Sequence, residues 1–330
     1  MRVNEKAVNG KIIGRDWNVQ NPWKAVRVKG PVANPAQAVE KAAEVIFCLC
    51  AFTAVAAVCA MTLYMIANGV PAVLQTGLKE ILFSKTWNPT AKEPSFGIFY
   101  VILTSIVGTF LAVLIGVPIG LLTAVFLAEA APGWLAAVVR PSVELLAGIP
   151  SVIYGVLGMM VLNPLMYRLE QKLFAGSKTH QFTGGANLLS AVLVLAVMIL
   201  PTVINISEAA LRAVPSALKA SSLALGASPV QTIFMVTIPA AKSGILTAVV
   251  LGVGRAVGEA MAISMVSGNV VHLPLPFQSV RFLTTAIVSE MGYAQGMHRQ
   301  VLFTIGLVLF VFIMIINGIL SRIVKGENQG

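Results

Sequence analysis

Two ionisable residues, Arg255 and Glu259, interrupt an otherwise apolar stretch from 243 to 271. An Arg at the centre of a membrane helix costs roughly 2.5–3.5 kcal/mol on insertion scales, so a pair of charges there calls for a partner or a ligand. A spacing of four puts both on one face of a continuous helix, a turn apart and within reach of each other. Mutual neutralisation, or a bridge to another helix, is the plainer consequence. The chemical one is anion passage, because a guanidinium offers planar donors matched to a tetrahedral oxyanion. A carboxylate beside it selects an oxyanion that still carries a proton. Hydrogen phosphate has a hydroxyl donor for Glu259 to accept, whereas sulfate at neutral pH has none, so the pair is expected to separate the two. The adjacent Gly252, Gly254 and Gly258 would admit other helices close to this face. Asn205, Ser207 and Asn269 are the further polar residues expected along such a path.

The elements that must position these residues are membrane helices. Of the 330 residues 57% are hydrophobic and only 11% charged, too apolar for a soluble globule. A spanning helix needs roughly 20 apolar residues, and charge-free stretches of that length occur at 46–78, 97–128, 145–167, 181–207 and 300–321. With the stretch holding Arg255 they predict an all-α polytopic membrane protein with spans at about 46–68, 97–127, 143–166, 187–206, 243–268 and 300–320. The ten-residue alternation of a membrane barrel is absent. If the first span enters from the cytoplasm, 14 Lys/Arg fall inside and eight outside, so both termini are expected in the cytoplasm. The net charge of +10 follows from this sidedness and not from a nucleic-acid face.

Residues 1–45 form a basic N-terminal segment too long and polar for a cleaved signal, with Trp17 and Trp23 among its charges. Asn34, Pro35 and Gln37 read as a helix start. Residues 46–322 are expected to be the transmembrane domain and 323–330 a cytoplasmic tail. Gly116, Pro118 and Gly120 predict a bend or close helix contact in the second span. Gly148, Pro150 and Ser151 predict a break within the third. Cys48, Cys50 and Cys59 lie in the first span, where they are expected to pack. His180, His272 and His298 are scattered without zinc-type spacing, so no metal site is expected.

The longest inner segment, 208–241, cannot belong to a span and should hold short surface helices. Within it Gly226 is followed ten residues later by Val236, then by Ile238 and Pro239. This resembles the EAA signature of importer permeases of the ATP-binding cassette (ABC) class. Ala220, Ser221 and Ser222 occupy the places of the leading Glu, Ala, Ala, so the acidic residue is missing. The resemblance tightens with Phe96-Gly97-Ile98, Ile106-Val107-Gly108-Thr109, the run from Gly148 to Gly155, Pro201 to Ser207 and Gly254 to Ala262. Together these segments, over roughly residues 75 to 322, are similar to the PstC family of phosphate-importer permeases. The paired PstA family is similar too, but the Gly254 run and the loop with Trp87 and Pro89 fit PstC better.

The resemblance implies a MetI-like type I importer fold in the bacterial inner membrane and a heterodimer with a PstA-like permease. It also implies a PstB-like ATPase dimer docked on the 208–241 coupling loop and a phosphate-binding protein outside. It matches Arg255 and Glu259 to the family's charged pair. The chain contains no G-x-x-x-x-G-K-[ST] phosphate loop, so no cofactor is expected in it and ATP with Mg belongs to the ATPase. Other readings are a sulfate or molybdate permease, which should lack the deep Glu, and an ATP-independent secondary anion transporter, which should show internal repeats. A membrane-embedded enzyme would want His, Asp or Ser clustered at one depth.

Overall fold

The computed structural model describes residues 35–327. Trp17, Trp23, the Asn34 cap and the tail from 328 lie outside the described residues. In chain order the helices begin with α1 (Pro35–Thr76) and α2 (Leu78–Phe83), followed by an antiparallel hairpin, β1 (Trp87–Asn88) and β2 (Ser95–Phe96), in which Trp87 faces Phe96. Next come α3 (Phe99–Val125), α4 (Gly133–Gly148), α5 (Ser151–Leu157), α6 (Asn163–Leu173) and α7 (Leu188–Arg212). The second half holds α8 (Ser216–Ala224), α9 (Pro229–Thr232), α10 (Ile238–Ala240), α11 (Lys242–Gly258), α12 (Met261–Val266), α13 (Leu283–Glu290) and α14 (Gly296–Glu327). Wider π-helical turns close α3 (Phe126–Ala130), join α5 to α6 (Gly158–Leu162) and join α9 to α10 (Ile233–Thr237).

Among the described residues five helices are long and apolar enough to cross a membrane: Val39–Thr76, Phe99–Ala130, Ser151–Leu173, Leu188–Arg212 and Gly296–Ile319. A sixth crossing follows if Pro229–Ala240 and Lys242–Gly258, joined at 69°, are one broken span. The spans depart from their sequence boundaries in instructive ways. The third begins at Ser151, because Pro150 caps α5 and the residues before Gly148 belong to the separate helix α4. The fourth passes through the buried Pro201 and continues to Arg212. Its final turns are polar, yet Ser207 and Glu208 are buried against other helices, so the helix does not end where its apolar pattern does.

The principal core surrounds α7, whose Leu188, Leu195, Met198 and Ile199 pack with Ala112 of α3, Ala256 of α11 and Ile263 and Val266 of α12. Gly116 and Gly120 permit the α3–α7 contact: a Cβ at either would lie 2.7 Å from Ile199 or 2.8 Å from Val203. A second cluster, Ile98, Val101, Leu283, Leu302 and Ile305, lies toward the hairpin. A third, Ala124, Leu211, Ala241 and Ile245, lies at the opposite end. These ends are called here the hairpin end and the loop end.

Candidate functional site

The helix carrying Arg255 does not continue through Glu259. Helix α11 stops at Gly258, Glu259 is extended (φ −75°, ψ 133°), and a new short helix starts at Met261. The expectation of a charge pair one turn apart on a single helix is therefore corrected. Glu259 is drawn off the helix by two contacts. Its Oε1 accepts the Ala262 N–H at 2.9 Å, capping the first turn of α12, and its backbone carbonyl accepts the Thr284 hydroxyl at 2.6 Å. That carbonyl is the group a continuing helix would have offered to residue 263.

Arg255 and Glu259 form no ion pair among the described residues, and no carboxylate there lies within ion-pair distance of Arg255. Its hydrogen-bond partner among the described residues is Thr202 Oγ1 of α7, with Nη1 at 3.5 Å, the outer limit for such a bond. The guanidinium is half-buried. Beside it, Leu251, Gly254 and Gly258 are exposed, and a Cβ on either glycine would meet nothing within 4 Å. Gly252 alone of the three glycines packs closely, 3.1 Å from Val203. Within this chain Gly254 and Gly258 thus border open space rather than a neighbouring helix. Gly148, also expected at a packed break, meets nothing within 4 Å either.

The other expected path residues are dispersed. Asn205 lies one turn beyond Thr202 on α7, lining a cavity of about 280 Å³ with Arg140, Glu144, Glu208 and Arg212. Ser207 is buried with its hydroxyl unpartnered. Asn269 sits beyond α12 in a left-handed conformation (φ 54°), its buried Oδ1 unpartnered and its carbonyl held by Arg281 Nε at 3.0 Å and Nη2 at 2.8 Å. No described contact joins it to Arg255.

At the loop end the Gly226 signature is laid out as short surface helices. Gly226 takes φ 88°, which an L side chain adopts only with strain, and so turns the chain from α8 into α9. Ser228 and Gln231 then form a capping box. Ile238 packs on the loop-end core while Val236 is half-buried. Pro239 stands just before the bend into α11. Ala220 and Ser221 are exposed, and Ser222 Oγ lies 3.0 Å from Thr232 Oγ1. Leu225 is 89% exposed and Met235 77%, with Val230 and Phe234 also outward. An apolar face of this kind, rimmed by polar groups, fits a protein partner.

Three buried carboxylates escaped the sequence reading. Glu208 takes Arg140 Nε at 2.6 Å and Arg212 Nε at 2.9 Å. Glu290 accepts from Trp87 of β1, Arg281, and His298 of α14 at 2.7 Å, tying three segments together. Glu170 accepts from His180 at 2.8 Å and twice from Thr183. Of these links, the i,i+4 pair Glu208–Arg212 was readable from spacing.

The family described as "Binding-protein-dependent transport system inner membrane component" matches residues 116–327, which take in Arg255, the broken span and the surface loop. The chain belongs to this family. The permease is 41% identical over 282 residues to "Probable ABC transporter permease protein YqgH" of Bacillus subtilis, covering 83% of this chain and 88% of that one. It is 35% identical over 262 residues to "Phosphate transport system permease protein PstC" of Pasteurella multocida, covering 75% and 81%. A solved bacterial ABC transporter that imports alginate shares the fold, with a TM-score of 0.60 at 15% identity over 88% of this chain and 99% of that one. The permease is therefore a multi-pass inner-membrane subunit of an ABC importer, built to work with a binding protein, an ATPase and another permease.

Proposed function

We propose that this permease imports inorganic phosphate, with Arg255 as the positive point of the path. The observation that carries the reading is a half-buried guanidinium in a membrane helix, bordered by open space and with no carboxylate of its own chain to neutralise it. An anion supplies that charge, and the similarity to the phosphate transport permeases PstC of other bacteria supports phosphate as the anion. Arg255 attracts the anion without a deep well, so release stays fast. Glu259 keeps Oε1 on the α12 cap, which leaves Oε2 to accept the proton of hydrogen phosphate.

In this reading the loop end faces the cytoplasm, and a PstB-like ATPase dimer, which binds ATP and Mg, docks on the exposed face around Leu225 and Met235. A PstA-like permease completes the path across the open side of Gly254 and Gly258, and an outer phosphate-binding protein delivers the anion. ATP binding or hydrolysis flips access between the two sides. The test is ATP-dependent uptake of radiolabelled phosphate by the reconstituted complex. Arg255→Ala should lower uptake about 10- to 100-fold, the value of a charge-assisted contact, with assembly of the complex unchanged. Full activity in the variant would return Arg255 to a packing role.

A further inference from the structure

The surface loop must pass its movement to the spans, and the side chains show where. Helix α8 has no buried residue. Among the described residues, its side-chain bonds to other elements are Ser222 Oγ to Thr232 Oγ1 of the neighbouring α9, at 3.0 Å, and Lys219 Nζ to Glu129 Oε1 at the end of the second span, at 2.5 Å. The ion pair is sheltered, with 25% and 12% of the two side chains exposed. Glu129 sits in the π-helical turn that closes α3, and wide turns of this type recur at functional positions.

The same turn has a second set of ties. The carbonyl of Leu127 accepts Arg140 Nη2 at 3.0 Å and Arg212 Nη2 at 3.5 Å, and both arginines converge on Glu208. A single turn thus joins α8 through one ion pair to α3, and through Leu127 to α4 and α7. Helix α7 is in turn the helix whose Thr202 meets Arg255.

We infer that Glu129 and Lys219 form the strut that carries motion of the surface loop into α3 and α7. The pair lies next to Ala220, where the signature's acidic residue is missing. Both are positioning residues that act through the helix ends they hold. The inference rests on the reading of the loop as the ATPase dock.

The test uses the complete importer in liposomes and follows phosphate uptake and ATP hydrolysis together, for Glu129→Gln, Lys219→Met and the exchange Glu129→Lys with Lys219→Glu. Each single variant should assemble and hydrolyse ATP but import at least about fivefold less phosphate per ATP, within the usual span of coupling energies. The exchange should restore most of that ratio. Single variants with an unchanged ratio, or an exchange no better than the singles, would overturn the strut. Should a single variant assemble poorly, Lys219→Arg, which keeps the charge, decides: it should retain the wild-type ratio, and loss of the ratio would overturn the strut. Failure of the phosphate reading is distinguishable, since the wild-type importer would then show binding-protein-stimulated hydrolysis without phosphate uptake.

Discussion

Arg255 carries a full charge into apolar surroundings with a hydroxyl 3.5 Å away as its hydrogen-bond partner, and its geometry matters as much as its charge. Lysine would keep the charge and lose the planar fork. Arg255→Lys should therefore retain uptake at saturating phosphate while raising the half-saturating concentration about tenfold, the effect of one charge-assisted bond. An unchanged concentration would mean that a point charge suffices. Glu259 serves two purposes that substitutions can separate. Glu259→Gln keeps an acceptor for the Ala262 N–H and should preserve the melting temperature of the complex while narrowing the preference for phosphate over sulfate. Glu259→Ala removes the cap as well and should destabilise by about 1 kcal/mol, read as a lower melting temperature. Equal discrimination in the Gln variant and the wild type would confine Glu259 to its capping role.

At the scale of elements, the end of α11 and the contact between α3 and α7 set the site. Gly116 brings α3 against Ile199, so Gly116→Leu should cost about 1–3 kcal/mol from overpacking and lower the thermal midpoint of the purified permease. A midpoint within experimental error of wild type would show that the two helices part easily. At the loop end, Glu208→Ala leaves Arg140 and Arg212 facing each other without their shared carboxylate. Both arginines are partly exposed, at 34% and 49% of their side chains, so the cost should be ~1–2 kcal/mol, between the values for surface and buried pairs. Denaturation of this variant beside wild type, in the same detergent, measures it.

Across the whole molecule, the exposed apolar face around Leu225 and Met235 is where the chain meets its ATPase in the proposed assembly. Changing both residues to Glu should abolish co-purification of the ATPase while leaving the second permease bound, because the charged side chains cannot be desolvated in the interface. Retention of the ATPase would move the dock elsewhere. The sequence by itself determined the membrane class, since runs of about 20 apolar residues have no other stable setting. It also determined the short helices between Ser216 and Ala240, because Gly226, Pro239 and the capping pair Ser228–Gln231 act within a few residues of themselves. That the expected 208–241 loop gives up its first five residues to the fourth span was not readable, since Glu208 is held by Arg140 from another helix. It pointed to Arg255 through the energetic cost of a charge in that place. Only the tertiary structure decided that Glu259 leaves the helix, because the competing partner for its carbonyl, Thr284, is 25 residues away. Likewise Lys219 finds Glu129 across 90 positions and Trp87 finds Glu290 across 203. Periodicity reports which face of a helix is apolar; which polar groups share a buried position depends on how the spans pack.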